Sequence, residues 1–243
     1  MTSAYQTWLQ KEEEWIGAYC RRTRKNSLWK VAPLTLLLSV VVFGGIAFLG
    51  EGSVGGLLAG AARGLLIGLV LCAFYLAVLW IGLRPARYVR KIEQSVREAG
   101  VGEGEQERLG QEMLNALEQE QQVVSYAVWG PNGKGTPARV FITPSYLFQE
   151  GSTPYAVLVR RSDVAEVRMD SEQRMATTHT GSRKTYHNFT LYTIGFYRRD
   201  RFERGLTEKD LPDSAMGFFQ KELRDEVVQR MQEAGLRVTT PEG

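Results

Sequence analysis

The sequence predicts an α+β protein in which a transmembrane helical hairpin precedes an antiparallel β-barrel or sandwich closed by a C-terminal helix. Two apolar runs, residues 31–50 and 64–83, are each long enough to cross a bilayer as a helix, which takes about 20 residues. Seven short β-type runs follow between residues 123 and 197, separated by turn-like pieces. Short strands at such close spacing favour antiparallel pairing, and an amphipathic segment at 214–235 completes the pattern.

The overall composition hides this organisation because the apolar residues are concentrated in one third of the chain. Of the 243 residues, 44% are hydrophobic and 23% are charged, which is typical of a soluble protein. The net charge of +3 is too small to indicate nucleic-acid binding. Cys20 and Cys72 have neither the spacing of a zinc site nor that of a disulfide framework, so we interpret both as packing residues.

Residues 1–30 are predicted to form an amphipathic helix followed by a basic flank, because aromatic and aliphatic residues recur at helical spacing between Tyr5 and Tyr19. This helix could lie along the membrane surface or pack against the downstream domain. The acidic run 12–14, which an anionic membrane would repel, favours packing. The segment is too long, too acidic and too rich in tryptophan for a cleavable signal, so the first apolar run is expected to stay attached.

Basic residues flank the hairpin of residues 31–83 on both sides. The loop between the two apolar runs has only two charged residues, Glu51 and Arg63. The flanking residues are Arg21, Arg22, Arg24 and Lys25 before the hairpin, and Arg84, Arg87, Arg90 and Lys91 after it. Lysine and arginine accumulate on cytoplasmic flanks, so both termini are predicted to lie in the cytoplasm, beneath the inner membrane. The same residues could recruit anionic lipids, although topology alone explains them.

Glycines recur at every fourth position from the reversal into the second apolar run. They are Gly52, Gly56, Gly60, Gly64 and Gly68. This small-residue ridge could dimerise, or it could pack on the first span, where Ser39, Gly44, Gly45 and Ala47 are also small; we favour packing within the hairpin. Arg63 is expected to mark the outer membrane boundary, and the scarcity of other polar residues in the hairpin argues against transport.

Residues 84–122 are predicted to contain the basic flank, a glycine hinge at 100–104 and an acidic helix with a narrow apolar stripe. The β-type runs begin at Val123. A helix is then predicted to start at Ser214, which can cap its first turn, and to end at Gly235, leaving 236–243 as a tail. Its predicted apolar face contains Met216, Phe219, Leu223, Val227 and Met231.

Seven strands followed by one amphipathic helix is the element order of a pleckstrin-homology-like (PH-like) domain. The run RVFITPSYLFQEG at 139–151 resembles the strand-turn-strand of bacterial PH-like domains, and YAVLVRRSDVAEV at 155–167 is similar to the strand that follows and its step into the next. Together with the hairpin, the chain resembles an uncharacterised family of bacterial two-pass membrane proteins with a cytoplasmic PH-like domain. The resemblance implies a fold and a location for residues 123–235, and it supplies no catalytic residues.

No residue pattern predicts an enzyme or a cofactor. His179 and His187 could face each other across two strands, but they have no acidic or thiol partner nearby to complete a metal site. The glycines of PNGKG at 131–135 lack the spacing of a phosphate-binding loop. Ser182, His187 and Asp170 are not accompanied by a nucleophile elbow.

The remaining candidate site is a basic patch formed by distal loops of the β domain, if those loops meet in space. Its residues would be Arg183, Lys184, Arg198 and Arg199. A solvated face is the simpler interpretation, and an exposed edge strand could instead accept a peptide by strand addition. The sequence therefore predicts a membrane-anchored cytoplasmic binding or scaffolding module, with the bilayer and a protein partner or second copy as its partners. The alternatives are an anionic-lipid-responsive sensor and an accessory subunit of a membrane enzyme or transporter.

Overall fold

The computed structural model describes residues 3–128, 135–151, 156–180, 183–203 and 211–239. The chain divides into two compact units. One unit, called here the β domain, comprises Met1–Glu12 and Val89–Gly243. The other, called the hairpin unit, comprises Glu13–Tyr88.

The hairpin unit is built from two long apolar helices joined by a tight reversal. Helix α1 covers Ala4–Asn26, a π-helical turn covers Ser27–Val31, α2 covers Ala32–Glu51 and α3 covers Val54–Gly82. Gly52 reverses the chain with φ of 61°, a left-handed conformation that only glycine adopts readily. The Ser53 hydroxyl then accepts a hydrogen bond from the Gly56 N–H at 3.0 Å and caps α3. Both apolar segments are long and apolar enough to cross a bilayer.

The remaining helices belong to the β domain, except for the start of α4. They are α4 (Pro85–Glu98), α5 (Glu103–Glu118), the short α6 (Arg199–Phe202) and α7 (Lys221–Glu233). Gly100, with φ of 69°, follows α4, and Gly102 precedes the first residue of α5. The predicted acidic helix is therefore α5, and its stripe residues Leu109 and Met113 are fully buried.

Within the described residues, eight strands form two four-stranded sheets. The first sheet is the antiparallel meander β1-β2-β3-β4, and the second has the order β7-β6-β5-β8, with β8 parallel to β5. The first-sheet strands are β1 (Val123–Val128), β2 (Thr136–Ile142), β3 (Tyr146–Glu150) and β4 (Val157–Arg160). The second-sheet strands are β5 (Val164–Thr180), β6 (Arg183–Arg198), β7 (Ser214–Phe218) and β8 (Val238–Thr239).

The first sheet separates two hydrophobic cores, because successive side chains on a strand point to opposite faces. On one face, Val140 and Leu147 pack with residues of the second sheet and of α7. On the other face, Phe141 and Phe148 pack with α5, the C-terminal half of α4 and the first turns of α1. Trp8 of α1 is fully buried there, with its ring 5.6 Å from that of Phe148 in an edge-to-face arrangement.

The coarse prediction of an apolar helical hairpin followed by a largely antiparallel β domain is confirmed. Two details were wrong. The predicted runs 164–169 and 174–180 are one strand, β5, rather than two. Residues 214–218 form strand β7 rather than the start of a helix, since Met216 and Phe218 are buried with a period of two; α7 begins only at Lys221.

Candidate functional site

The glycine ridge of α3 faces α2 within the hairpin unit. A Cβ atom on Gly60 would lie 2.5 Å from the Ala47 Cβ, and one on Gly64 would lie 2.5 Å from the Ser39 carbonyl oxygen. A Cβ on Gly56 would meet the Glu51 side chain, and one on Gly68 would meet Ser39. The absence of side chains at these glycines therefore allows α2 and α3 to approach closely. The ridge packs on α2 of the same chain.

Arg63 is the tenth residue of α3, which begins at Val54, and so lies about 14 Å along the helix. Its expected place at the outer membrane boundary stays a prediction. The adjacent Gly64 is level with Ser39 and Phe43, near the middle of α2. The Arg63 side chain points outward from the hairpin. It does not pair with Glu51, which lies instead beside Gly56.

Arg24, in the basic flank before the hairpin, has a defined structural role. Arg24 donates hydrogen bonds to the carbonyl oxygens of Leu83 at 2.7 Å and Trp80 at 3.3 Å, and its guanidinium lies 5.2 Å from the Trp80 ring centroid. It therefore binds the last carbonyls of α3, which have no partner within the helix. The exposed flank residues are Arg21, Arg22, Lys25, Arg84, Arg87 and Arg90, while Lys91 is half-buried.

A charged cluster is buried in the β domain where the first turns of α1 cross the first sheet. Arg139 of β2 binds the carboxylates of Glu12 on α1 and Glu150 on β3, and its Nε donates to Glu150 at 2.8 Å. The Trp8 indole N–H donates to Glu12 at 2.9 Å. Burial, together with the nearby Glu150 charge, raises the pKa of Glu12 well above its usual range despite the attraction of Arg139. Two carboxylates on one guanidinium thus favour holding a proton at Glu12.

A second carboxylate on the same face fixes the turn between β2 and β3. Glu112 of α5 accepts hydrogen bonds from the Thr143 hydroxyl at 2.8 Å and from the Ser145 N–H at 2.9 Å. Burial opposes ionisation of Glu112, but the hydrogen bonds from Ser145 and Thr143 outweigh it and lower the pKa. The Thr-Pro turn quoted in the resemblance is therefore held by an acidic residue of α5.

A groove of about 420 Å³ lies in the β domain between the edge strands β4 and β7. Its volume falls in the range typical of ligand pockets, about 300–1,000 Å³. Val159 and Phe196 contribute apolar surface, and Glu98 at the end of α4 lies at one side. Its lining cations already have partners: Arg160 binds Asp163 at 3.1 Å, and Arg198 binds Asp200 at 3.3 Å.

Backbone groups of both edge strands point into this groove. The Arg161 N–H donates to the carbonyl of Ser145, the residue before β3, so the backbone of the preceding Arg160 faces away from β3, toward the groove. On β7, both backbone groups of Gly217 bond to the side-chain amide of Gln149, which shows that Gly217 faces away from β6. By the same alternation, Ala215 directs its N–H and carbonyl into the groove.

The side chain of Gln149 links the first sheet to β7. Its amide nitrogen donates to the Gly217 carbonyl at 3.1 Å and to the Tyr126 hydroxyl at 2.7 Å, and its oxygen accepts from the Gly217 N–H at 3.3 Å. The Gln149 side-chain amide thus makes the two hydrogen bonds to β7 that the backbone of a residue on a neighbouring strand would make. Desolvation raises the pKa of Tyr126 to about 12, more than the hydrogen bond from Gln149 lowers it.

The structure does not bring the predicted basic patch together. Arg183 and Lys184 begin strand β6, whereas Arg198 ends it and Arg199 begins α6. Fourteen residues of extended strand between Lys184 and Arg198 correspond to about 46 Å. The patch prediction failed because β5 and β6 form one long hairpin that separates its ends. Arg204, another basic residue of this region, and Ser182 lie outside the described residues.

The two histidines also lie apart. His179 is paired with Lys184 and His187 with Ala176, and this register places the imidazoles on opposite faces of the β5–β6 hairpin. The His187 ring instead contacts the Thr178 hydroxyl at 2.9 Å. Within the described ranges, no three residues of metal-ligating type are grouped. The PNGKG turn falls largely outside the described residues.

Sequence reasoning missed the groove and the buried charged cluster. Arg139 and Glu12 are 127 residues apart, and no local pattern links them. The groove depends on which strands end each sheet, and β7 had been interpreted as helix. One signal was available: the opposite charges Arg139 and Glu150 stand at either end of a run that contains two apolar triplets around a turn. No family model, curated protein sequence or solved structure matches this chain.

Proposed function

We propose that this protein is a membrane-anchored binding module that holds an extended segment of a partner protein in the groove between β4 and β7. In this proposal, the hairpin crosses the bacterial inner membrane with both termini in the cytoplasm. The apolar lengths of α2 and α3 and the basic residues on their cytoplasmic flanks support it. The β domain is then the cytoplasmic, non-enzymatic part.

A PH-like fold for the β domain is part of the proposal. A four-stranded antiparallel meander is followed by the antiparallel strands β5, β6 and β7 and then by α7, which is the order that the resemblance implies. Val227 and Met231 of α7 share one core with strands of both sheets, as expected of a helix that closes a barrel. The parallel strand β8 is an addition to that order.

The observation that carries the proposed binding role is the backbone direction at the groove. Arg160 on one sheet and Ala215 on the other direct main-chain groups into the same groove. An extended peptide can satisfy such edges by strand addition, which gains affinity from main-chain hydrogen bonds and specificity from alternate side chains. A partner segment would therefore bind here as an added strand.

Site-specific photocrosslinking in native membranes tests this. A photoreactive residue replacing Glu98, which is exposed beside the groove, should form a covalent adduct with the partner. Ala215→Pro removes the N–H that faces the groove, at an edge-strand position where proline is tolerated, and should abolish the adduct. Ala215→Val keeps the N–H and should preserve it.

An adduct that persists in Ala215→Pro would contradict strand addition in the groove. The anchor is tested separately: the full chain should remain in membranes washed with alkaline carbonate. A cysteine at Gly52 should be labelled from outside intact cells, and one at Gly102 should not. Labelling at position 102 would overturn the topology.

A further inference from the structure

The β5–β6 hairpin extends well beyond the rest of the β domain. β7 pairs with β6 only at residues 192–196, and β8 pairs with β5 only at 167–168. The part beyond, called here the ribbon, consists of residues 172–180 of β5 and 183–191 of β6. Nine residues of strand correspond to about 30 Å. The ribbon is thus two strands alone, an arrangement that is marginally stable in water without a further contact.

Both faces of the ribbon are open over most of its length. Side chains 171–179 and 184–188 are exposed. One face is covered only as far as Tyr192, whose ring lies 5.3 Å from the guanidinium of Arg224 on α7. The other face is covered as far as Phe189, whose ring contacts that of Phe219. Nothing else among the described residues packs on the outer part.

One face of the ribbon combines apolar and cationic side chains. Strand register places Met175, Thr177 and His179 of β5 on the same face as Lys184, Tyr186 and Asn188 of β6. Met175 is 61% exposed and Tyr186 is 59% exposed, and they are diagonal neighbours in the ladder, about 7–8 Å apart. Lys184 is the lysine or arginine of this face, and no acidic residue of the described ribbon lies on it; Arg174, on the opposite face, pairs with Glu172 at 2.8 Å.

We propose that this face of the ribbon docks on the anionic lipid surface of the membrane in which the chain is anchored. The inference rests on the proposed membrane anchor but not on the peptide groove, which lies elsewhere on the β domain. Lys184 would pair with lipid phosphates, while Met175 and Tyr186 would enter the headgroup region, where amphipathic aromatic side chains are favoured. Only five residues separate Leu83 from Val89, so the bilayer is present at high effective concentration.

The other possible occupants fit less well. A second ribbon docked face to face would bring two Lys184 side chains together, because this face carries Lys184 and no acidic residue among the described residues. A nucleic acid would use the cations for phosphate contacts but would leave the exposed Met175 and Tyr186 without a role. An anionic bilayer interface satisfies both kinds of side chain at once.

Hydrogen exchange of the full chain in lipid nanodiscs tests the proposal. Amides of the ribbon should exchange more slowly in discs of phosphatidylcholine mixed with phosphatidylglycerol than in discs of phosphatidylcholine alone, and added salt should reduce the difference. Lys184→Glu changes the charge by two and should weaken docking about thirtyfold. Tyr186→Ser should weaken it to a smaller extent.

Lys221→Glu is the matched control, since Lys221 is equally exposed but lies on α7 outside the ribbon. It should leave the lipid-dependent protection unchanged. Equal ribbon exchange in the two lipid compositions, or protection that requires two chains per disc, would overturn the proposal while leaving the anchor intact. A chain that does not insert into either disc would overturn the anchor as well.

Discussion

The two sheets of the β domain differ in how their faces are used. Every residue of β3 in the first sheet is buried, and its two faces contact separate cores. In the second sheet, only the ends of β5 and β6 near β7 and α7 are covered, and the ribbon is exposed on both faces. The buried strands of the first sheet are therefore expected to contribute most of the stability of the β domain. The exposed strands of the ribbon instead leave surface available for contacts with other molecules.

The largest expected effect is the loss of a buried aromatic ring from the first sheet. Phe148→Ala removes a side chain that packs against Trp8 and Phe141, with ring centroids 5.6 Å and 5.8 Å away. We expect the free energy of unfolding to fall by about 3–5 kcal/mol. Denaturant unfolding of the detergent-solubilised chain, followed by near-ultraviolet circular dichroism, measures it. A loss below about 1 kcal/mol would contradict the assignment of this sheet as the structural layer.

The hairpin unit offers the same contrast between covered and open positions. Gly64→Ala places a methyl group against the Ser39 carbonyl, whereas Gly45→Ala meets nothing within 4 Å. We expect the first to lower stability by about 1–3 kcal/mol through overpacking. The second should be neutral or slightly stabilising, since alanine favours helix. Thermal unfolding in detergent compares them, and equal effects would indicate that the ridge does not pack on α2.

The buried carboxylate of Glu12 should make the covered side of the first sheet sensitive to pH. Its native pKa is raised above the ordinary value of 4.5, so the folded chain holds this proton more tightly than the unfolded chain. The contribution of Glu12 to stability is therefore present at low pH and falls as pH rises from about 4.5 through the raised native pKa. Glu12→Gln cannot titrate and should lack this dependence.

The measurement for Glu12 is the difference between the unfolding free energies of wild type and Glu12→Gln across that pH range. Other titrating groups, such as Glu112, cancel in the difference. Parallel curves for the two proteins would show that the pKa of Glu12 is not raised. The attraction of Arg139 would then fully offset the effect of burial on that pKa.

The smallest expected effect is on the open side of the second sheet. Tyr186→Ala removes a large aromatic side chain that is 59% exposed, and should change stability in detergent by less than about 0.5 kcal/mol. The same unfolding assay as for Phe148→Ala provides a direct comparison of the two sheets. A cost comparable to that of Phe148→Ala would mean that the ribbon face is covered within the protein.

Patterns that act locally predicted most of the fold. The hairpin was readable because apolar length alone determines whether a helix can cross a bilayer, and β1 to β4 were readable from short apolar runs between turns. The ribbon was not, because a strand exposed on both faces has no hydrophobic pattern, and Ser171–Gln173 look like a break. At β7, Met216, Phe219 and Leu223 also fit helical spacing, and only pairing with β6 decides for a strand.

The candidate sites were less readable because they depend on long-range pairing. Arg139 is neutralised in part by Glu12, a carboxylate near the N-terminus and far from it in sequence. The groove could be predicted only from the strand order, which makes β4 and β7 the edge strands of their sheets. The prediction of a basic patch was wrong for a related reason. Its residues were assigned to two loops that could meet in space, whereas they lie at opposite ends of one long strand.

The two helices of the hairpin end at the same level. Helix α1 continues through the π-helical turn into α2, and Arg24, just before that turn, binds the carbonyls at the end of α3. If the hairpin crosses the bilayer as proposed, a bilayer centred on both helices would place the outward-facing Arg63, which is level with the middle of α2, beside the lipid tails. A guanidinium at that depth draws water and headgroups toward it and thins the bilayer locally, so the hairpin should partition into thinner membrane regions.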